Sequence, residues 1–111
     1  MTEERLIETT VYKRLTQKRG RLFLASIPWN WLVRAANKPG KALHVALAIR
    51  HQGKLEKKQT ISLGSRFLRE LGVSKDAKAR ALNSLEREGL IQVDQKTGSN
   101  PRVTIIELEY N

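Results

Sequence analysis

At 111 residues the chain is long enough for one modest core, and it has no cysteine, which excludes disulfides and thiolate metal sites. Its 21 Lys and Arg against 11 Asp and Glu leave a net charge of +10, a surplus that favours polyanions, nucleic acid above all, through phosphate contacts and counterion release. The start MTEERLIETT lacks the basic patch and apolar run of a secretory signal, and the longest apolar-rich stretch, Ala42 to Ile49, is too short to span a bilayer, so a soluble, cytoplasmic protein with no membrane partner is expected.

Residues 1 to about 10 are polar and without periodicity, the pattern of a fraying terminus. VYKRLTQKRGRLFL follows, with five basic residues, Lys13, Arg14, Lys18, Arg19 and Arg21, between apolar flanks. A loose hairpin, a basic helix and a disordered arm all suit it, so residues 1–24 form an N-terminal basic extension, flexible in the last of these readings. Ser26-Ile27-Pro28 is a helix entry, because proline is tolerated where its missing N–H costs nothing; the helix runs from Trp29 to about Ala36 and stops at Asn37-Lys38-Pro39-Gly40. A second helix spans about Lys41 to Gln52 and is capped by Gly53. It is apolar around most of its circumference and therefore the central core helix. Lys54 to Gln59 is a solvated connector.

Thr60 to Leu63, short and β-branched, is an edge strand. Ser65 to Leu71 is a helix with Phe67, Leu68 and Leu71 facing inward. After Gly72-Val73, Ser74 caps the next helix, Asp76 suits its positive end, Ala77, Ala81, Leu82 and Leu85 form its core stripe, and Gly89 is its left-handed stop. Leu90 to Val93 and Val103 to Ile106 are strands joined by the polar loop Lys96-Thr97-Gly98-Ser99-Asn100-Pro101.

On the helix after Ser74, with Ala81 at zero and 100° per residue, the apolar stripe centres at roughly 30–40°. The opposite face holds Asp76, Ala79, Arg80, Asn83 and Arg87, with Lys75 at its edge. Arginine suits guanine, asparagine suits adenine, and Ala79 permits close approach and contact with a thymine methyl. Lys78 falls at about 60°, inside the stripe, where its stem must snorkel to bring the ammonium to water or a phosphate. Charge is unevenly spread: residues 1–60 hold 13 basic and 4 acidic side chains, residues 61–111 hold 8 and 7. The basic mass stands in front of the helix pair.

The order helix, strand, helix, helix, strand, strand resembles a winged helix-turn-helix domain, the DNA-binding module of many bacterial transcription regulators. The likeness is carried by Leu71-Gly72-Val73-Ser74, Arg80-Ala81-Leu82, Leu85-Glu86, Gly89-Leu90-Ile91 and the Gly98 to Val103 wing, over roughly residues 41–108. The stretch Pro39-Gly40-Lys41-Ala42-Leu43 is also similar to small winged-helix proteins of bacterial mobile elements. The resemblance implies that the N-terminal half of the helix after Ser74 enters the major groove, with Lys75, Asp76, Ala79, Arg80 and Asn83 as readers; Ser74, Lys78 and Arg87 are expected at the DNA beside them. It implies too that Lys96, Ser99, Asn100 and Arg102 of the wing touch phosphates or the minor groove. A relative usually has an apolar residue where this chain has Lys78.

Each functional reading has a plainer rival. Arg80, Asn83 and Arg87 equally make a solvated helix face, with Arg87 pairing towards Asn83 or Asp94, and the cluster Lys13, Arg14, Lys18, Arg19 and Arg21, a DNA-contacting arm in the functional reading, is equally a solvated or disordered segment. Trp29 and Trp31 lie roughly 200° apart on a helix, which favours core or dimer packing over base stacking. His44 and His51 share a face without a third ligand, so no metal site is expected, and no catalytic constellation or cofactor motif is present.

The expected fold is mostly α with a small β-sheet: a winged helix-turn-helix domain over residues 25–111, with its core module at 41–108, behind the N-terminal basic extension. The expected function is non-enzymatic, sequence-specific binding of double-stranded DNA in transcriptional regulation, the helix at 74–88 reading the major groove. A homodimer is compatible with this. The alternatives are a replication or partition initiator of a mobile element and a protein-interaction winged helix, the second favoured by the near-neutral second half.

Overall fold

The computed structural model describes residues 26–96 and 98–108. The basic cluster Lys13, Arg14, Lys18, Arg19 and Arg21 lies outside the described residues, as does Thr97 of the polar loop. Among the described residues, four helices and a three-stranded antiparallel sheet make an α+β arrangement: α1 Trp29–Ala36, α2 Ala42–Glu56, β1 Thr60–Ser62, α3 Arg66–Glu70, α4 Lys75–Arg87, β2 Ile91–Asp94 and β3 Arg102–Ile105. None of these helices is long and apolar enough to cross a membrane.

Helix α1 starts where Pro28 stops being extended: its carbonyl accepts from the Leu32 amide at 3.0 Å. The two tryptophans separate as their spacing requires. Trp31 is fully buried with Ala35 one turn on, whereas Trp29 is 73% exposed. The Trp31 indole nitrogen donates to the carbonyls of Leu90 (3.3 Å) and Ile106 (3.1 Å), so a core aromatic ties α1 to both ends of the β2–β3 hairpin while its polar atom stays satisfied.

Helix α2 is the central element, packed on α1, α3, α4 and the sheet, with Ala42, Val45, Ala46, Ala48 and Ile49 buried. Small residues alternate with branched ones, which lets neighbouring helices approach closely on several sides. Gly53 is not its cap. The helix continues to Glu56, beyond the expected boundary at Gln52, and ends at Lys57, whose φ of 55° is left-handed. Gly53 is instead a buried contact: a Cβ there would stand 3.0 Å from Ile105 Cδ1 and 3.1 Å from the Lys58 carbonyl oxygen. Half of the expected connector is therefore helix, because tertiary contact with β3 decides what Gly53 is for.

The second half follows its local signals closely. Gly72 takes φ 73°, and the Val73 amide closes the turn on the Leu68 carbonyl at 2.8 Å, which seats Val73 in the core. Ser74 Oγ accepts from the Ala77 amide at 3.2 Å, an N-cap on α4. Ala77, Ala81, Leu82 and Leu85 are all buried, and Gly89 ends the helix at φ 82°. One inward assignment on α3 is wrong: Leu68 is buried, but Leu71 is 39% exposed because α3 stops at Glu70 and the turn carries Leu71 off the core-facing stripe.

Strand β3 is central in the order β1-β3-β2. Ile61 pairs with Val103 and Ile91 with Ile105 on the face towards the helices, and the Thr60 and Thr104 hydroxyls meet at 2.8 Å. Full burial of Ile61, Leu63, Leu85, Leu90 and Ile91 stabilises by about 1.5–3 kcal/mol each before chain entropy is counted.

Candidate nucleic-acid interface

Helix α4 is held by its buried stripe against α2 and β2, which turns the other side of the cylinder outward. Lys75, Asp76, Ala79, Arg80, Asn83 and Arg87 are all exposed, together with Ser74 at the cap. The cap serine is already committed through Oγ to the Ala77 amide, so its part is to fix the entry of α4. No side chain of Lys75, Arg80, Asn83 or Arg87 joins a hydrogen bond or ion pair among the described residues, so Arg87 pairs with neither Asn83 nor Asp94.

Two carboxylates at the C-terminal end of this helix, Glu86 and Glu88, are tied elsewhere. Glu86 Oε2 accepts from the Val93 amide at 2.8 Å, and Glu88 meets Lys38 at 2.6 Å. The hydrogen bond from Lys38 holds the Glu88 carboxyl below its ordinary range, with the charges of Lys38 and Arg34 adding to it against a small desolvation. A segment that is almost neutral by count thus presents Arg80 and Arg87 without an acidic partner, because two of its carboxylates are used in joining α4 to the hairpin and to the α1–α2 turn. Asp76 remains at the N-terminal end of α4, where the helix dipole favours it.

Lys78 lies within the stripe, where the helical wheel puts it, and not on the outward face. It is half-buried, and its Nζ donates to the Leu63 carbonyl at 2.9 Å, pinning α4 to the end of β1. Burial, helped by repulsion from Lys75, lowers its pKa from 10.5. The stem does snorkel along the stripe, but its ammonium ends on protein rather than in free solution.

The β2–β3 hairpin carries the other candidates. Lys96, Ser99, Asn100 and Arg102 are exposed. Gln95 shapes the loop by donating to the carbonyls of Lys96 (3.3 Å) and Ser99 (2.9 Å), Ser99 N returns to Lys96 O at 3.1 Å, and Gly98 supplies φ 81°. Arg102 faces Asp94 across the strands and shares a shallow groove with Glu86 and Asp94, so its charge is partly compensated.

One residue that sequence reasoning missed stands beside this surface. Lys41, together with Pro39 and Gly40, forms a groove of about 340 Å³ with Arg80, Asn83, Ser84 and Arg87 of α4. Lys41 stood in the sequence as the first residue of a helix and within the Pro39-Gly40-Lys41-Ala42-Leu43 stretch, and no local pattern could place it across from α4. His44 and His51 are half-buried, His51 edge-on to Phe67 at 5.3 Å. No group of three or more His, Asp or Glu side chains suited to a metal occurs among the described residues.

The chain matches no protein-family model, no curated protein and no solved structure.

Proposed function

We propose that this chain is a winged helix-turn-helix protein that binds double-stranded DNA sequence-specifically and acts as a transcriptional regulator. One observation carries the reading: the outward face of α4 holds unpaired Arg80, Asn83 and Arg87 around the small Ala79, while Glu86 and Glu88 are engaged elsewhere. Exposed donors at helical spacing, on a helix capped and backed by a core, are what base edges and phosphates need. The net charge of +10 gives such a helix long-range attraction to a duplex. In this reading α3, the Gly72 turn and α4 are the helix pair, α4 enters the major groove, and the β2–β3 hairpin is the wing, with Lys96, Ser99 and Asn100 towards the backbone. Arg102 contributes least, since Asp94 and Glu86 lie near it.

Selection of bound duplexes from a random pool at two salt concentrations tests this. A recovered motif whose affinity falls steeply with salt supports it; salt-independent recovery, or no enrichment, sinks it. Enrichment of iterated repeats would favour a replication or partition initiator built on the same fold.

A second reading has its own observation. Trp29 and Val33, one turn apart on α1, are exposed, and Arg34 is the only charged residue of that helix. On a strongly basic chain this is a surface where a second copy can approach without heavy repulsion. A concentration-dependent increase in sedimentation that Trp29→Ala abolishes would support a homodimer; a wild-type monomer throughout would remove it.

A further inference from the structure

We propose that the groove between the Pro39-Gly40-Lys41 turn and α4 is a seat for a backbone phosphate of nucleic acid, clasped by Lys41 from one wall and Arg87 from the other. The inference rests on the DNA-binding reading of α4 and extends it to an element outside the helix pair. Asn83 and Ser84 supply uncharged donors along the same groove, and Arg80 stands two turns from Arg87, roughly 10.5 Å along the axis.

Composition marks this groove as basic. Lys41, Arg80 and Arg87 line it, and no carboxylate does. Three other grooves among the described residues each include at least one acid: Glu56 in one, Glu107 in another, Glu86 and Asp94 in the third. The nearest acid in sequence to Arg87 on its C-terminal side, Glu88, is occupied by Lys38. None of the three lining cations has an ion-pair partner among the described residues. Like charges around a concave surface repel one another and focus a positive potential into it, a cost that an anion in the groove relieves.

The shape fits as well. At about 340 Å³ the groove has room for a phosphodiester and its waters. The wall at Gly40 is open, since nothing stands within 4 Å of where a Cβ would be. An arginine fork and a lysine point charge on opposite walls suit a tetrahedral oxyanion. Such a contact fixes the register of α4 on a duplex without reading sequence.

The test uses the full chain, with duplex affinity measured across a range of salt for wild type, Lys41→Gln, Arg87→Gln and Lys54→Gln. Lys54 is exposed and lines a different groove. Lys41→Gln and Arg87→Gln should each lower the slope of log affinity against log salt by about 1, so that their deficit against wild type narrows about fourfold over a fourfold rise in salt. The ranking of sequences and the thermal midpoint of Lys41→Gln should stay as in wild type, and Lys54→Gln should keep the wild-type slope. In parallel, inorganic phosphate is titrated while the amide resonances of Gly40, Lys41 and Asn83 are followed; they should move in wild type and stay still in Lys41→Gln.

If duplex binds but both groove variants keep the wild-type slope, the phosphate seat is overturned and the α4 reading survives. If wild type binds no duplex while phosphate still shifts these amides, the groove takes free phosphate, and both the nucleic-acid assignment and the DNA reading fall. If neither ligand acts, the groove is not an anion site.

Discussion

The guanidinium of Arg50 lies 4.2 Å over the ring of Trp31, and its two terminal nitrogens end on the Glu107 carboxylate at 2.5 and 3.2 Å. One cation thereby covers the indole that anchors α1 and clamps the chain leaving β3. The indole below it donates to Leu90 and Ile106, so three segments distant in sequence converge on Trp31.

Trp31→Phe should keep most of the apolar contact yet leave the Ile106 carbonyl without its indole donor, costing about 1–3 kcal/mol. Trp31→Ala should cost about 3–5 kcal/mol and bring the chain close to unfolding. Chemical denaturation monitored by circular dichroism measures both. Equal losses for Phe and Ala would mean that the hydrogen bonds, rather than the packing, hold α1.

Gly53→Ala should destabilise, although alanine is the better helix former by about 1 kcal/mol. Its methyl meets the Lys58 carbonyl at 3.1 Å, a main-chain atom that cannot swing away, as well as Ile105 at 3.0 Å. Overpacking of this kind costs about 1–3 kcal/mol, so the net loss should be on the order of 1 kcal/mol in the same denaturation experiment. A gain in stability would show that β3 yields freely.

Lys78 makes stability depend on alkaline pH. Burial and then Lys75 depress its folded pKa below 10.5, so between those two values the unfolded chain binds more protons than the folded one. Its contribution to stability must therefore rise with pH across that window. The Lys78→Met variant removes the titrating group and fills the stripe with apolar volume. The difference in stability, wild type minus variant, should increase between neutral pH and the ordinary lysine pKa, the tyrosines cancelling in the subtraction. A flat difference would mean that the ammonium is as well solvated folded as unfolded.

Arg80→Ala should cost about 1–3 kcal/mol of duplex affinity and relax preference at one base position. Arg21→Ala, in the basic extension, should weaken every sequence alike and flatten the salt dependence by about 1. Gel shifts with a selected site and a scrambled one separate the two effects. Undiminished binding by Arg80→Ala would reject major-groove reading by α4.

What was legible in the sequence is what depends on near neighbours. Ser74 as a cap, Gly72 in the turn between helices, Gly89 as a left-handed stop and the Ala77-Ala81-Leu82-Leu85 stripe were all readable, since caps, turns and helical periodicity act within a few residues. The outward set on α4 followed from the same wheel, as did the place of Lys78 within the stripe. What the wheel could not show is the acceptor of Lys78, the Leu63 carbonyl, which lies fifteen residues back, just after β1.

Sequence by itself determined the order of helices and strands, the buried side of α4 and the basic excess, because each is a local or summed property of the chain. Tertiary structure decided what those parts face. It made Gly53 a packing contact instead of a helix end, buried Trp31 while leaving Trp29 outside, and drew Glu86 and Glu88 away from the arginines of α4. It also set Lys41 across a groove from Arg87. Those outcomes depend on which distant segments meet, and only the close packing of α1, α2, α4 and the sheet around one core brings them together.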